Sequence, residues 1–250
     1  MGKYNGKNVE SLALLTSSAP FAYAEAYKTL RTNLSFASIS KQYKKIIVTS
    51  AIPNEGKSTV ATNLAVTLAE SDARVLLVDC DLRNPTLRRL LRVRAEYKMG
   101  LTSLLTGGAT VEKCIFKHPK INCDVLIAGT TPPNPAELLS SPQMKALLDQ
   151  LSERYDYIIC DTPPVSIVTD AAALSRYCDG VILVVRQKLS TRDQVWAAKR
   201  NLDAVQANII GTILSCYDMS NDTQAVNPYY GGYYHYGSSG GKGKRIKRYD

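Results

Sequence analysis

KKIIVTSAIPNEGKSTVATNLAVTLAE, residues 44–70, decides the fold. Lys45 to Ser50 is apolar without alternation, as a strand buried on both faces should be. Ser58 to Glu70 reads as a helix. Between them, Ala51-Ile-Pro-Asn-Glu-Gly-Lys-Ser-Thr59 matches G-x-x-x-x-G-K-[ST], with Ala51 at the first glycine position. A strand feeding such a loop, and the loop feeding a helix, predict a phosphate cradle. Gly56 lets the backbone curl until successive N–H groups face an anion, and the helix that follows adds the positive end of its dipole. Lys57 is then set to reach β and γ phosphates, Ser58 to ligate Mg²⁺ and Thr59 to approach the α phosphate. Pro53, Asn54, Glu55 and Gly56 complete the nucleotide-binding loop. The alternative is a glycine turn whose lysine faces solvent.

Outward from this loop, short apolar runs recur between helical stretches: Val75 to Asp79, Asp124 to Ala128, Tyr157 to Asp161, Val181 to Val185 and Ile209 to Leu214. The alternation predicts an α/β fold, a mostly parallel sheet with helices on both faces. Upstream, Ala22 to Phe36 spaces Tyr23, Tyr27, Leu30 and Leu34 near a helical period, so an amphipathic helix precedes the core. The expected division is an N-terminal arm and helix over 1–40, a nucleotide-binding domain over 41–216 and a flexible tail over 217–250, where Gly, Ser, Asn and basic residues replace aliphatics.

Two predicted strands end in acids. Val75 to Val78 runs into Asp79-Cys80-Asp81-Leu82-Arg83, and Tyr157 to Cys160 into Asp161-Thr162-Pro163-Pro164. Carboxylates at the ends of buried strands are costly unless they meet a cation, and ATP-bound Mg²⁺ is the economical one. Asp81 and Asp161, with Ser58, are the metal-shell candidates. Asp79 is the candidate base for an incoming hydroxyl, and Lys57, Asp79, Asp81 and Asp161 form the expected catalytic set. Helix capping by Asp79 or Asp161 is the alternative.

The formal charge of +9 suits an acidic partner without choosing one. The six cysteines show no CxxC pair and no clustering with His118 or His235, so they are expected to be core residues or free thiols. No apolar run approaches the roughly 20 residues that cross a bilayer, and the opening residues lack a cleavage pattern. Gly2 is followed by Gly6 where a myristoylation signal wants Ser or Thr. The chain is therefore expected to remain in the cytoplasm.

Taken together, AIPNEGKST (51–59), LLVDCDLRNP (76–85), GTTPPNPAELLSS (129–141), YIICDTPP (157–164) and the terminal tyrosines resemble the bacterial tyrosine kinases, or BY-kinases, that control capsule and exopolysaccharide production. Those proteins carry Walker A, A′ and B motifs on a P-loop fold. The resemblance implies a ring-shaped homo-oligomer in which one subunit's tail enters a neighbour's site with ATP and Mg²⁺. It further implies the split arrangement typical of Firmicutes: a separate transmembrane activator recruits the kinase to the inner face of the membrane, and a cognate phosphatase opposes it. The family's contact motif E-x-x-R-x-x-R appears here as Glu25, Lys28 and Arg31, with Lys unable to copy the planar fork of Arg.

The tail offers Tyr229, Tyr230, Tyr233, Tyr234 and Tyr236 among glycines, the expected phosphorylation cluster, followed by a basic run from Lys242 to Arg248. The alternative is an adhesive, low-complexity tail. Two rival functions remain at this point. Partition or division-site ATPases share the P-loop branch but carry an extra loop lysine where this chain has Ile52. A DNA- or membrane-binding module would suit the charge, but no readout motif is evident and no specific nucleic acid is expected.

Overall fold

A computed structural model describes residues 14–16, 18–39, 41–94 and 97–217. The five tail tyrosines, Gly2 and Gly6 lie outside the described residues. In chain order the elements are α1 (Phe21–Ala37), β1 (Lys45–Ser50), α2 (Lys57–Ala69), β2 (Val75–Asp79), α3 (Leu87–Leu90), α4 (Leu101–Leu105), α5 (Val111–Cys114) and β3 (Ile115–Lys117). There follow β4 (Asp124–Leu126), α6 (Pro135–Leu139), α7 (Pro142–Arg154), β5 (Tyr157–Asp161), α8 (Asp170–Ser175), β6 (Gly180–Arg186), α9 (Arg192–Ala204) and β7 (Ile209–Ser215).

The seven strands form one sheet in the order β3-β4-β2-β5-β1-β6-β7. Every pairing is parallel except β3 with β4, which is antiparallel with Ile115 opposite Leu126. The expected α/β class and the central strands are found. The edge strand β3 was not anticipated, because three residues after a short helix carry too little periodicity to read. The Asp124 strand also stops at Leu126, two residues short of the predicted end.

Side chains alternate across the sheet into two cores. Ile46 and Val48 of β1 join Leu64 and Leu68 of α2 and Leu34 of α1 on one face. Ile47 joins Leu147 and Leu151 of α7, Leu174 of α8 and Leu202 of α9 on the other. Full burial of a leucine such as Leu64 contributes about 1.5–3 kcal/mol. Every residue of α2 from Val60 to Ala69 is buried, Thr62, Asn63 and Thr67 included, so this helix is covered on all sides rather than amphipathic. Its N-terminus is thereby held rigidly at the ends of β1, β2 and β5.

Two backbone contacts lock the loop at the far side of β4. A Cβ built on Gly100 would sit 2.2 Å from the Ile127 carbonyl and 2.5 Å from the Gly129 nitrogen, so only hydrogen fits there. The segment supports α4 through Leu101 N–H, which donates to Ile127 O at 2.8 Å.

Candidate active site

Gly56 adopts φ 91°, a left-handed value that favours glycine, and turns the chain from β1 into the first turn of α2. Asn54 is also left-handed at φ 66°. The loop is tied from behind. Glu55 is fully buried; its carboxylate accepts the Ile52 N–H at 2.7 Å and bonds the Ser190 hydroxyl, and its carbonyl accepts from Ser215 Oγ at 2.6 Å. Arg186 of β6 donates to the Asn54 carbonyl at 3.0 Å. The Glu55 side chain thus braces the loop, while Pro53, Asn54, Gly56, Lys57, Ser58 and Thr59 line a cavity of about 400 Å³.

Of the acids, Asp81 lines this cavity, while Asp79 and Asp161 face each other in register at the ends of β2 and β5 and are not among its lining residues. Lys57 Nζ lies 3.1 Å from Asp81 Oδ2 and 3.8 Å from Asp161 Oδ1. Burial alone would lower the Lys57 ammonium, but the charges of Asp161 and Asp81 outweigh it and hold its pKa above the ordinary lysine value. Asp161 is completely buried, and its counter-charge is Lys57, at an ion-pair rather than a hydrogen-bond distance. Burial pushes its pKa up to about 6, against the pull of Lys57 and the Ser58 hydroxyl. Ser58 Oγ itself is 2.8 Å from Thr86 Oγ1.

Asp79 differs from its two neighbours. Its carboxylate accepts the backbone N–H of Asp81 at 3.2 Å and of Leu87 at 3.1 Å, it is fully buried, and burial followed by the charge of Asp161 raises its pKa well above the usual range. Like Asp161, and unlike Asp81, it is not among the residues lining the cavity. A raised carboxyl holding two backbone donors braces the turn into α3.

These residues fit a magnesium–triphosphate. The Asp161 carboxylate is fully buried with only the 3.8 Å contact to Lys57 as counter-charge, and a hydrated cation would satisfy it. Among the described residues no group of three His, Cys, Asp or Glu side chains is placed to hold a metal ion by itself.

Other site residues were not singled out from sequence. Arg83, quoted in the D-x-D-x-R run, lines the cavity and is fixed by two parallel hydrogen bonds to Asp170, Nε to Oδ2 at 2.9 Å and Nη2 to Oδ1 at 3.0 Å. Asp170 starts α8 and is fully buried; nothing local in VTDAAALS marks it. Pro163 and Ile167 form an apolar wall, with Ile167 62% exposed.

The three residues of the contact motif separate. Glu25 and Lys28 pair with each other at 2.7 Å on the exposed side of α1. Arg31 turns inward and donates to the Thr67 carbonyl of α2 at 2.8 Å, a favourable site for a cation because the last carbonyls of a helix carry its negative dipole end. Among the described residues no helix is long and apolar enough to cross a membrane.

A family model described as an AAA domain matches residues 43–210. Tyrosine-protein kinase YwqD of Bacillus subtilis (strain 168) is 38% identical over 222 residues, covering 89% of this chain and 93% of that protein. Against the longer tyrosine-protein kinase etk of Escherichia coli (strain K12), the chain is 36% identical and spans 29% of its length. The solved kinase domain of Escherichia coli ETK superposes with a TM-score of 0.74 at 37% identity, over 77% of this chain and 74% of that one. The chimerical protein CapA2B2 superposes with a TM-score of 0.73 at 33% identity, over 84% and 98%. The septum site-determining protein MinD of Pyrococcus horikoshii OT3, complexed with Mg-ADP, is more distant, at 26% identity and a TM-score of 0.58 over 68% and 69%. With a nucleotide-type loop facing paired acids and relatives of this identity along almost its whole length, the chain belongs to the bacterial tyrosine-protein kinases of the capsular type.

Proposed function

We propose that this kinase transfers the γ-phosphoryl group of ATP to the tyrosines of its own C-terminal cluster, in trans within a homo-oligomer, and thereby regulates capsular or exopolysaccharide synthesis and export. The observation that carries the reading is Lys57 of the phosphate loop held between two acids, Asp81 on the cavity wall at 3.1 Å and the fully buried Asp161 at 3.8 Å. When bound, ATP would supply the transferable phosphoryl group and Mg²⁺ the positive counter-charge to the carboxylates. Lys57 exchanges its ion pair with Asp81 for phosphate oxygens, and the N–H groups from Gly56 to Thr59 cradle the remaining negative charge. Ser58, Asp81 and Asp161 make the metal shell.

Asp81 is better placed than Asp79 to orient the incoming phenol, because it lines the cavity while Asp79 is spent on two backbone donors. A tyrosine hydroxyl has a pKa near 10, so assistance from an acid group is useful at neutral pH. Arg83, held by Asp170, faces the same space and is suited to developing charge on the transferred group.

Glu25 and Lys28 on the outer side of α1 are suited to an interface with a second copy, whereas Arg31 already serves the fold. The chimera CapA2B2 supports a working partnership with a second polypeptide, here a transmembrane activator that recruits a cytoplasmic kinase to the membrane. A phosphotyrosine phosphatase completes the cycle. The ATPase alternative lacks its extra loop lysine, since position 52 is Ile.

Mass spectrometry of the purified chain after incubation with ATP and Mg²⁺, with and without an activator peptide, tests the reading. Phosphotyrosine at residues 229–236 that disappears in Lys57→Met is expected. Steady ATP hydrolysis without phosphotyrosine would overturn it.

A further inference from the structure

A second cavity, of about 470 Å³, lies at the β3 edge of the sheet, away from the phosphate loop. Arg92, Arg94, Lys117 and Lys120 line it, and among the described residues none that lines it is acidic. The cavity beside it, around Arg74 and Asp124, mixes both signs. Among the described residues, Arg92, Lys117 and Lys120 are exposed and have no ion-pair partner. One wall is aromatic: Tyr97 and Phe116 stack with centroids 4.3 Å apart. His118 beneath them is buried, with Nε2 2.9 Å from the Leu91 carbonyl and Nδ1 accepting the Lys120 N–H at 3.3 Å, which fixes the turn carrying the two lysines.

The backbone at Arg92 is the second observation. Arg92 N–H donates to Arg89 O at 3.2 Å and Val93 N–H to Arg88 O at 2.9 Å, a helix ending that puts Arg92 in the left-handed region at φ 52°. Glycine is the usual residue there. An arginine held at that position, beside three other cations and an aromatic wall, is costly for the fold and suits a ligand.

We infer that this cavity binds phosphotyrosine, specifically the phosphorylated C-terminal segment of this chain. The inference rests on the proposed phosphorylation of that segment. A phosphotyrosyl group carries about −1.5 to −2 charges on an aromatic ring, matching guanidinium and ammonium groups beside stacked rings. A flat anionic membrane would not need the concavity or the aromatic wall. Reach allows the contact: Tyr229 is twelve residues beyond Tyr217, up to about 40 Å when extended, against roughly 29 Å across the sheet from β7 to β3. Product held here is kept out of the phosphate-loop cavity, which would mark the modified state of the kinase.

The test uses the full chain and synthetic peptides of residues 226–238, one phosphorylated at Tyr229 and Tyr230, the other at Tyr233, Tyr234 and Tyr236, so that it does not depend on the enzyme modifying itself. Fluorescence anisotropy is expected to show saturable binding of at least one phosphopeptide, unchanged by saturating Mg-ADP, and no saturation by the unphosphorylated sequence. Arg92→Glu with Lys117→Glu should weaken it by about tenfold or more. Arg92→Gly should weaken it too while melting no lower than the wild type, which separates lost binding from lost folding. Equal binding of the unphosphorylated peptide or of a phosphoserine version of equal charge, competition by Mg-ADP, or indifference to both variants would overturn the inference. So would binding of phosphatidylserine vesicles, lost in the double variant, when neither phosphopeptide binds. Absence of self-phosphorylation in mass spectrometry, with phosphopeptide binding intact, would fail only the reading of the previous subsection.

Discussion

Lys57 Nζ sits 3.1 Å from Asp81 Oδ2, so the loop lysine and the second acid of D-x-D-x-R neutralise each other across the cavity. Nucleotide phosphates must compete for that lysine. Asp81→Asn releases it but removes a metal-shell oxygen, and phosphotyrosine formation should fall by about 10–100-fold. A Mg²⁺ titration of the rate checks this: the half-saturating concentration is expected to rise. A variant with wild-type rate and Mg²⁺ dependence would remove Asp81 from the metal shell.

Arg83 and Asp170 should behave asymmetrically. Arg83→Ala strands a fully buried carboxylate, whereas Asp170→Asn leaves an arginine that is partly in water. Since Arg83 is 42% exposed by side chain, the loss for Arg83→Ala is about 1–3 kcal/mol rather than the full cost of breaking a buried pair. Urea unfolding of the two variants should rank Arg83→Ala below Asp170→Asn.

Arg31 is expected to matter to the monomer, and Glu25 and Lys28 to assembly. Arg31→Ala loses a charge-assisted hydrogen bond to the end of α2, worth about 1.5–3 kcal/mol. Glu25→Ala and Lys28→Ala lose an exposed pair worth about 0.3–0.5 kcal/mol. Thermal melts combined with sedimentation velocity separate the effects: the first variant should melt early, and the other two should change oligomer size at nearly constant melting temperature.

Gly100→Ala should be among the most damaging small substitutions outside the cavity. The added methyl would overlap the backbone of Ile127 and Gly129, neither of which can move without shifting the end of β4. A loss of about 3 kcal/mol or more is expected in denaturant unfolding.

Asp156 gives the acid limb a defined sign. Hydrogen bonds from Arg74 lower its carboxyl to about 2. The stability it contributes is present above the unfolded value near 3.9 and is lost as pH falls through about 2. Both side chains are largely exposed, so salt should screen the effect. Asp156→Asn should flatten the stability curve between these two pH values at low salt, and the difference from wild type should shrink as salt is added.

Local chemistry was legible in the sequence where one segment contains both the residue and its reason. The strand, loop and helix of residues 44–70 carry their own pattern, and the parallel α/β sheet follows from repeated apolar runs between helices. Lys57 and Asp81 could likewise be named, because an acid ending an apolar strand needs a cation wherever the strand lies. Tertiary structure decided the partners. Asp170 meets Arg83 across 87 positions of sequence, Arg31 finds a carbonyl that has no side-chain signature, and Asp79, bound to two backbone N–H groups, is distinguished from Asp81, which pairs with Lys57 and lines the cavity. Burial and hydrogen bonding between distant segments are properties of the packed chain, so the residue types present were readable in advance, while the group each one faces was set by the sheet order that brings β2, β5 and α2 together.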